Sequence, residues 1–398
     1  MGSTRSRRAI VLVIDACGVG ALPDAGAYGD EGTNTLAHVA EALGGLELPA
    51  LAALGLGSIL PLAGVPAAAD PALHGRLHPL GPGKDSIAGH WELMGVVLER
   101  PLPTYPHGFP PEVIARLVEA TGHQLIGNRP YNGIAAIEEL GAEHMRTGAL
   151  ILYTSQDSVL QLAAHVETVP VADLYSACAA ARVAMSGEHA VGRVIARPFS
   201  GVEGAFARTE GRRDFALPPP RRSYLQELQG AGVEVHGVGK ISDLFAGVGI
   251  SSSHAGASNA QALASVEELV DVLEHGLVFA NLIETDQVYG HRKDVAGFGR
   301  ALREIDRRVE VLLGRLRADD LLIVTADHGV DPAHAGSDHT REYAPLLAVS
   351  GEMLGRRARG EPIGGTRHDG PLSDVGATVL RWLGGRDAPE LPGGAFIS

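Results

Sequence analysis

The stretch LLIVTADHGVDPAHAGSDHT, Leu321 to Thr340, decides the reading of this chain. Its apolar opening, Leu321 to Val324, has no polar alternation, and such a run belongs inside a parallel sheet covered on both faces. Asp327 and His328 stand just past the carboxyl end of that strand. Open α/β sheets place their ligands there, on loops carried by a rigid scaffold. A second Asp-His pair, Asp338 and His339, follows eleven residues further on.

Outward from this strand the pattern repeats. AIVLVID (Ala9 to Asp15), VFANLIE (Val278 to Glu284) and PLLAVS (Pro345 to Ser350) are strand-like, while Thr35 to Leu43, Val295 to Arg317 and Ser373 to Leu383 are helical. This alternation predicts an α/β fold, a mostly parallel sheet flanked by helices. Between PLPTYPHGFPP, beginning at Pro101, and LPPPRR, beginning at Leu217, the texture changes. These Pro-rich hinges bracket strand candidates of their own, ALILYTS and VGRVIARP. Residues 101–217 are therefore expected to form an inserted α+β domain, with 1–100 and 218–398 forming the core.

Composition narrows the function. A chain of 398 residues can bury its core without disulfide or metal staples, so any metal serves chemistry rather than stability. The net charge of −14, from 33 Lys plus Arg against 47 Asp plus Glu, argues against a nucleic-acid surface. An anionic substrate would need dedicated Arg or Lys. Two cysteines, Cys17 and Cys178, are too few for a disulfide framework and fit a cytoplasmic protein.

Arg5, Arg7 and Arg8 before AIVLVI imitate a signal peptide, but Asp15 ends the apolar run short of an h-region. MGSTRS matches the loose myristoylation pattern, which is frequent by chance. Leu48 to Ala69 is free of charge and long enough to span a bilayer. Pro49, Pro61 and Pro66 with Gly55, Gly57 and Gly64 would break such a helix, so the stretch reads as a short helix followed by loop, with no membrane partner.

Three strands deliver ligand-type residues to one sheet edge: Asp15 after the first, Asp286 and His291 after VFANLIE, and Asp327, His328 and His339 after LLIVT. Any one of them alone is more often a helix cap or a satisfied polar residue. Together they form a mixed oxygen and nitrogen set that suits two divalent ions such as Mn²⁺ or Zn²⁺ better than Ca²⁺. Two such ions clamp the attacking and leaving oxygens of phosphoryl transfer. GPGKDSIAGHWELMG, Gly81 to Gly95, offers a nucleophile: Asp85 or Ser86 would cap the helix that follows, placing Ser86 where unpaired backbone N–H groups point outward. Ser86 as a mere cap is an equal reading of the sequence; Trp91 and Met94 are expected in the core.

These residues carry a resemblance. GKDSIAGHWELMG, GALILYTSQDSVLQLAAHVE, GRVIARPFSG, GVGKISD, YGHRKD and TADHGVDPAHAGSDHTREYAPLL resemble the motifs of the phosphopentomutase family of the alkaline phosphatase superfamily, in that family's order, along almost the whole chain. The resemblance implies an alkaline-phosphatase-like core with an inserted α+β cap. It implies two Mn²⁺, or other divalent ions, one held by Asp15, Asp327 and His328 and the other by Asp286, His291 and His339. Ser86 would bridge them and carry a phosphate. Ser155, Asp157, Arg193, Arg208 and Lys240 match positions that contact the sugar phosphate. The implied activity interconverts (deoxy)ribose 1-phosphate and (deoxy)ribose 5-phosphate through a sugar bisphosphate, which also acts as activator, while the cap excludes water. Many family members carry Thr where Ser86 stands, and Glu284 and Thr285 stand where members carry Asp and Phe.

Bottom-up, Arg193, Arg197 and Arg208 are forked donors suited to a phosphate monoester, although each is more often a surface residue. Competing readings are a metal-dependent phosphatase or phosphodiesterase, a phosphoglycerate mutase of the same superfamily, and a metal-binding regulator without turnover. An ATPase is disfavoured, because Glu234 stands where the first Gly of a phosphate loop belongs and Ile241 follows Lys240. A dinucleotide site fails at GVGALP, Gly18 to Pro23, which lacks the third Gly.

Overall fold

The computed structural model describes residues 6–155 and 157–397, so most of the MGSTRS pattern lies outside the described residues. The chain divides into two compact units, Met1–Arg100 with Pro219–Ser398, and Pro101–Pro218. Strands β1 (Arg8–Ile14) and β2 (Leu73–His78) precede the second unit. That unit holds β3 (Leu125–Pro130), β4 (Leu150–Thr154), β5 (Val159–His165), β6 (Arg193–Ser200), β7 (Ala207–Arg208) and β8 (Arg213–Ala216). After it come β9 (Val235–Val238), β10 (Ser252–His254), β11 (Gly276–Leu282), β12 (Asp320–Thr325), β13 (Ala344–Ser350) and β14 (Gly370–Pro371).

The core sheet runs β10-β9-β11-β1-β12-β13-β2-β14. Strand β1, sequence RAIVLVI, is buried at every residue, as a run without polar alternation requires of a strand covered on both faces. Even its Arg8 is buried, because Asp320 at the start of β12 accepts from its Nε at 2.9 Å. Helices Asn259–Val272, Val295–Leu313 and Asp374–Gly384 pack against the sheet or one another.

One strand departs from the parallel reading: β13, the PLLAVS segment, pairs antiparallel with both β12 and β2. The cause is its connection. A parallel return needs a crossover of a dozen or more residues, usually a helix, that carries the chain back to the strand's starting edge. Residues 326–343 instead stay at the carboxyl edge of the sheet as an irregular loop. Leu48 to Ala69 folds as two short helices, Pro49–Leu54 and Leu56–Ile59, separated by Gly55 at φ 117°, then as loop. No helix among the described residues is long and apolar enough to cross a membrane.

The second unit is α+β. Its strands order as β3-β4-β5-β6-β7, with β8 also on β6, in a mixture of parallel and antiparallel pairs. The period-2 rule divides its core: Leu150, Leu152, Leu160 and Leu162 pack with Val113, Leu117, Leu174 and Cys178 on one face. Ile151, Tyr153, Ala163 and Phe199 pack with Ala136, Ile137 and Phe206 on the other. Both cysteines are buried free thiols.

Candidate active site

Strand register builds the site. Ile14 at the end of β1 pairs with Leu282 of β11, and Val13 pairs with Thr325 of β12. Asp15, Asp286 and Asp327 therefore leave three adjacent strands at one level, on the carboxyl edge. Asp286 lies in a π-helical turn, Thr285–Gly290, a wide backbone form often found at functional sites. Ala16, just after Asp15, has φ 62°. That left-handed conformation is unfavourable for a residue with a Cβ, and its N–H is spent on Asp327 Oδ1 at 3.1 Å.

The paired Asp-His motifs have a structural reason. Gly329 and Thr340 form an antiparallel bridge across the loop, folding SDHT back onto ADHG. His328 and His339 thereby meet as tilted rings with centroids 4.2 Å apart, and His291 approaches His339 at 4.8 Å. Buried Glu342 braces the fold-back, accepting from Thr35 N at 2.9 Å, Thr35 Oγ1 and Thr340 Oγ1 at 2.7 Å, and Gly20 N at 3.1 Å. Burial raises the Glu342 pKa, with those hydrogen bonds opposing.

Two buried groups of ligand atoms result. Asp15, Asp327 and His328 bring one atom each within 4.8 Å of one another, as do Asp286, His328 and His339. His328 thus belongs to both. His291 Nε2 is 3.2 Å from Asp286 Oδ1 and its Nδ1 is 2.7 Å from the Ser337 carbonyl, which holds it at the margin. The fit to cations rests on three buried oxygens: among the described residues, Asp15 Oδ1, Asp286 Oδ1 and Asp327 Oδ2 make no well-directed hydrogen bond and are faced by histidine nitrogens at 3.1 to 3.4 Å. Three clustered, desolvated carboxylate oxygens are costly unless positive charge faces them. His328 Nδ1 lies 3.0 Å from the Gly329 carbonyl. A carbonyl only accepts, so Nδ1 carries a proton, and once the ring is neutral, as ligation requires, Nε2 offers its lone pair to the cluster. Borderline divalent ions suit this donor set.

The local field follows. Burial alone would raise the Asp327 carboxyl, but His328 and His90 outweigh it and hold the group well below the usual carboxylate range. Burial would lower His328, yet Asp327 and Asp15 lift it well above its ordinary value. Asp286 is raised by burial and by Asp15, then carried below normal by His339.

Ser86 opens the helix Ser86–Leu93, and Asp85 is its N-cap, accepting from Ile87 N at 3.0 Å and Ala88 N at 3.1 Å. Capping by Asp85 leaves the Ser86 hydroxyl available, and its Oγ lies 3.1 Å from His328 Nε2. The preceding turn is strapped down: Tyr28 donates to the Pro82 carbonyl, Arg341 Nη1 to the Gly83 carbonyl, Lys84 to Asp30, and Leu80 N and Gly81 N to Glu92. Trp91 and Met94 are buried in the core.

In the second unit, Asp157 N lies 3.3 Å from Ser155 Oγ, and Arg193 reaches Asp157 at 3.8 Å and Asp214 at 3.6 Å. Arg208 is exposed on β7, its guanidinium close enough to Gly133 that a side chain there would collide with it. Arg197 donates to Gln161, and burial followed by neighbouring Arg212 lowers its pKa. Lys240 belongs to the core unit, following β9 at the carboxyl edge. Sequence reasoning missed His90 and Asn281, both fully buried beside the cluster. Their signals were available: an Asn inside the apolar run VFANLI, and a His one helical turn after Ser86.

The family model described as metalloenzyme superfamily matches residues 7–386. A phosphopentomutase of Caldanaerobacter subterraneus subsp. tengcongensis is 48% identical over 87% of this chain and 88% of its own length. One from Dictyoglomus thermophilum is 46% identical over 98% of both chains. Among solved structures, Leishmania mexicana phosphoglycerate mutase aligns at 13% identity with a TM-score of 0.48, covering 100% of this chain and 99% of that one. Near-half identity across almost the full length, spanning both units, makes this chain a member of the phosphopentomutase family within the metalloenzyme superfamily.

Proposed function

We propose that the protein interconverts (deoxy)ribose 1-phosphate and (deoxy)ribose 5-phosphate by passing a phosphoryl group through Ser86. The observation that carries this reading is the position of the Ser86 hydroxyl, 3.1 Å from His328 Nε2 at the edge of a buried acidic cluster. Asp15, Asp327 and His328 would hold one divalent ion, and Asp286, His291 and His339 the other, with Mn²⁺ as the proposed metal. Bound there, such ions lower the pKa of the hydroxyl and neutralise charge on the phosphoryl oxygens.

Phospho-Ser86 gives its phosphoryl group to the C1 hydroxyl of ribose 5-phosphate; the O–P bond to Ser86 breaks, the proton of the sugar hydroxyl passes to the serine oxygen, and ribose 1,5-bisphosphate forms. The Ser86 hydroxyl then attacks the 5-phosphoryl group; the bond from phosphorus to the C5 oxygen breaks, the serine proton passes to that oxygen, and ribose 1-phosphate departs with phospho-Ser86 restored. A trace of bisphosphate primes the cycle. The location of Ser86 in the first turn of a helix favours the phosphorylated state through the helix dipole, the Ile87 and Ala88 N–H groups being taken by Asp85. On the same reading Pro101–Pro218 is the substrate-binding unit, with Ser155, Asp157, Arg193 and Arg208 as sugar-phosphate contacts, joined by Lys240 of the core. Free buried thiols fit a reducing compartment, and we assign the enzyme to the cytoplasm.

Purified protein with Mn²⁺, ribose 1-phosphate and a trace of the bisphosphate tests the proposal. It predicts ribose 5-phosphate without free phosphate. Release of inorganic phosphate, with no need for primer, would identify a phosphatase instead.

A further inference from the structure

A fully buried polar chain lies directly beneath the cluster. His90 stands one helical turn beyond Ser86, and its Nδ1 is 2.9 Å from the Ser86 carbonyl and 3.1 Å from Asp327 Oδ2. Its Nε2 is 3.2 Å from Asn281 Nδ2, and the same Asn281 nitrogen is 2.9 Å from Asp15 Oδ2. Asn281 lies on β11, between β1 and β9. The chain therefore ties the nucleophile's own backbone to two proposed ligands on two different strands.

The hydrogen-bond directions are forced by chemistry. An ionised carboxylate only accepts, so the Asn281 atom facing Asp15 is the amide nitrogen. Its second proton then faces His90 Nε2, which must accept. The neutral imidazole consequently carries its proton on Nδ1 and donates it to the Ser86 carbonyl. The same Nδ1 also faces Asp327 Oδ2 at 3.1 Å, so the ring lies between the serine helix and that carboxylate. One acceptor-only carboxylate thus sets the amide orientation, the amide sets the imidazole tautomer, and the imidazole sets the first turn of the serine helix.

We infer that His90 and Asn281 are a positioning pair that fixes Ser86 relative to Asp15 and Asp327, so that cation loading at those ligands and the placement of the hydroxyl are coupled. The inference rests on the proposed roles of Ser86, Asp15 and Asp327. Outer-layer partners of metal ligands typically change metal affinity or activity 10–100-fold when removed, roughly the effect expected here.

Two substitutions at one site separate positioning from filling. In His90→Asn the amide nitrogen overlays Nδ1 and keeps the donor to Ser86. His90→Gln overlays Nε2 and keeps only the contact with Asn281. Asn281→Leu preserves volume and removes the whole link. Mn²⁺ affinity is read by electron paramagnetic resonance of free Mn²⁺, folding by circular dichroism melting, and transfer by kcat and KM separately. H90Q and N281L are expected to weaken Mn²⁺ binding and lower kcat by about 10–100-fold with KM for the pentose phosphate unchanged, and H90N to recover most of both. If folded H90Q and H90N match each other in Mn²⁺ affinity, His90 only fills space and the inference fails. Should both histidine variants melt far below wild type, N281L decides in the same way, by an unchanged or a weakened Mn²⁺ affinity. If wild type binds Mn²⁺ but interconverts no pentose phosphates, the function proposal falls, while the affinity comparison still decides the pair.

Discussion

Gly89→Ala sets two physical effects against each other. Gly89 is buried within the helix Ser86–Leu93, where replacing Gly by Ala normally favours folding by about 0.5–1 kcal/mol through backbone entropy. Here the new Cβ would stand 2.4 Å from the Asp327 carbonyl oxygen and 2.8 Å from Asp327 Cβ. Ordinary contact begins at 3.4 Å, so helix and loop must separate by about 1 Å. Neither partner is the free end of a flexible chain; one is main chain, the other the stem of a proposed ligand. Overpacking of this kind costs about 1–3 kcal/mol, which exceeds the propensity gain. A misplacement near 1 Å at a reacting centre also costs roughly 10²-fold in rate. The variant should melt below wild type in EDTA, bind Mn²⁺ more weakly, and lose about two orders of magnitude in kcat. A G89A protein that melts at or above wild type with unchanged Mn²⁺ affinity would refute the reasoning.

Other outcomes follow from the same geometry. Ser86→Ala should abolish phosphoryl transfer while keeping Mn²⁺ affinity and melting temperature close to wild type, because Asp85 caps the helix; Asp85→Ala should instead cost about 1 kcal/mol in urea unfolding. Excess Mn²⁺ should raise stability by about 2.7 kcal/mol per occupied site at a hundredfold over that site's dissociation constant, and EDTA should reverse the rise in a thermal melt. His144 in the second unit is fully buried; its Nδ1 meets the Ala149 carbonyl at 2.6 Å and its Nε2 accepts from His165 N at 2.8 Å. Burial, the largest cause, lowers its pKa below the ordinary 6.5. A folded value below the unfolded one means stability is intact above pH 6.5 and falls as pH drops through that value toward the folded one. His144→Leu should flatten this slope in urea titrations at pH 5 to 7, and an unchanged slope would rule the residue out. Burial pushes the Cys178 thiol up to about 12 and raises Cys17 further. Neither should react with a disulfide reagent at pH 8 until the protein unfolds.

The sequence announced strands through continuity: RAIVLVI, GLVFANL and DLLIVT are buried throughout, and only a sheet covered on both faces tolerates that. The direction of β13 was harder to see, although residues 326–343 contain no helical pattern able to carry a crossover. Side chains converge on the cluster because register places the ends of three strands level, and that level follows from hydrogen bonding, which no spacing along the chain encodes. The repeat of Asp-His drew attention to the loop, but its cause, the bridge between Gly329 and Thr340, is a tertiary event. Whether Asp85 or Ser86 capped the helix was undecidable from residue type, since both accept well at that position. His90 and Asn281 escaped notice because neither belongs to a ligand pattern; their meaning lies in contacts across nearly two hundred residues of chain, 191 apart in number.

Anomalous diffraction at the manganese edge, from crystals grown with Mn²⁺, tests the central claim most directly. The account predicts two peaks near Ser86 Oγ, one within about 2.0–2.2 Å of atoms from Asp15, Asp327 and His328 and one equally close to Asp286, His291 and His339. A single peak elsewhere, or peaks whose ligands leave Ser86 remote, would contradict it.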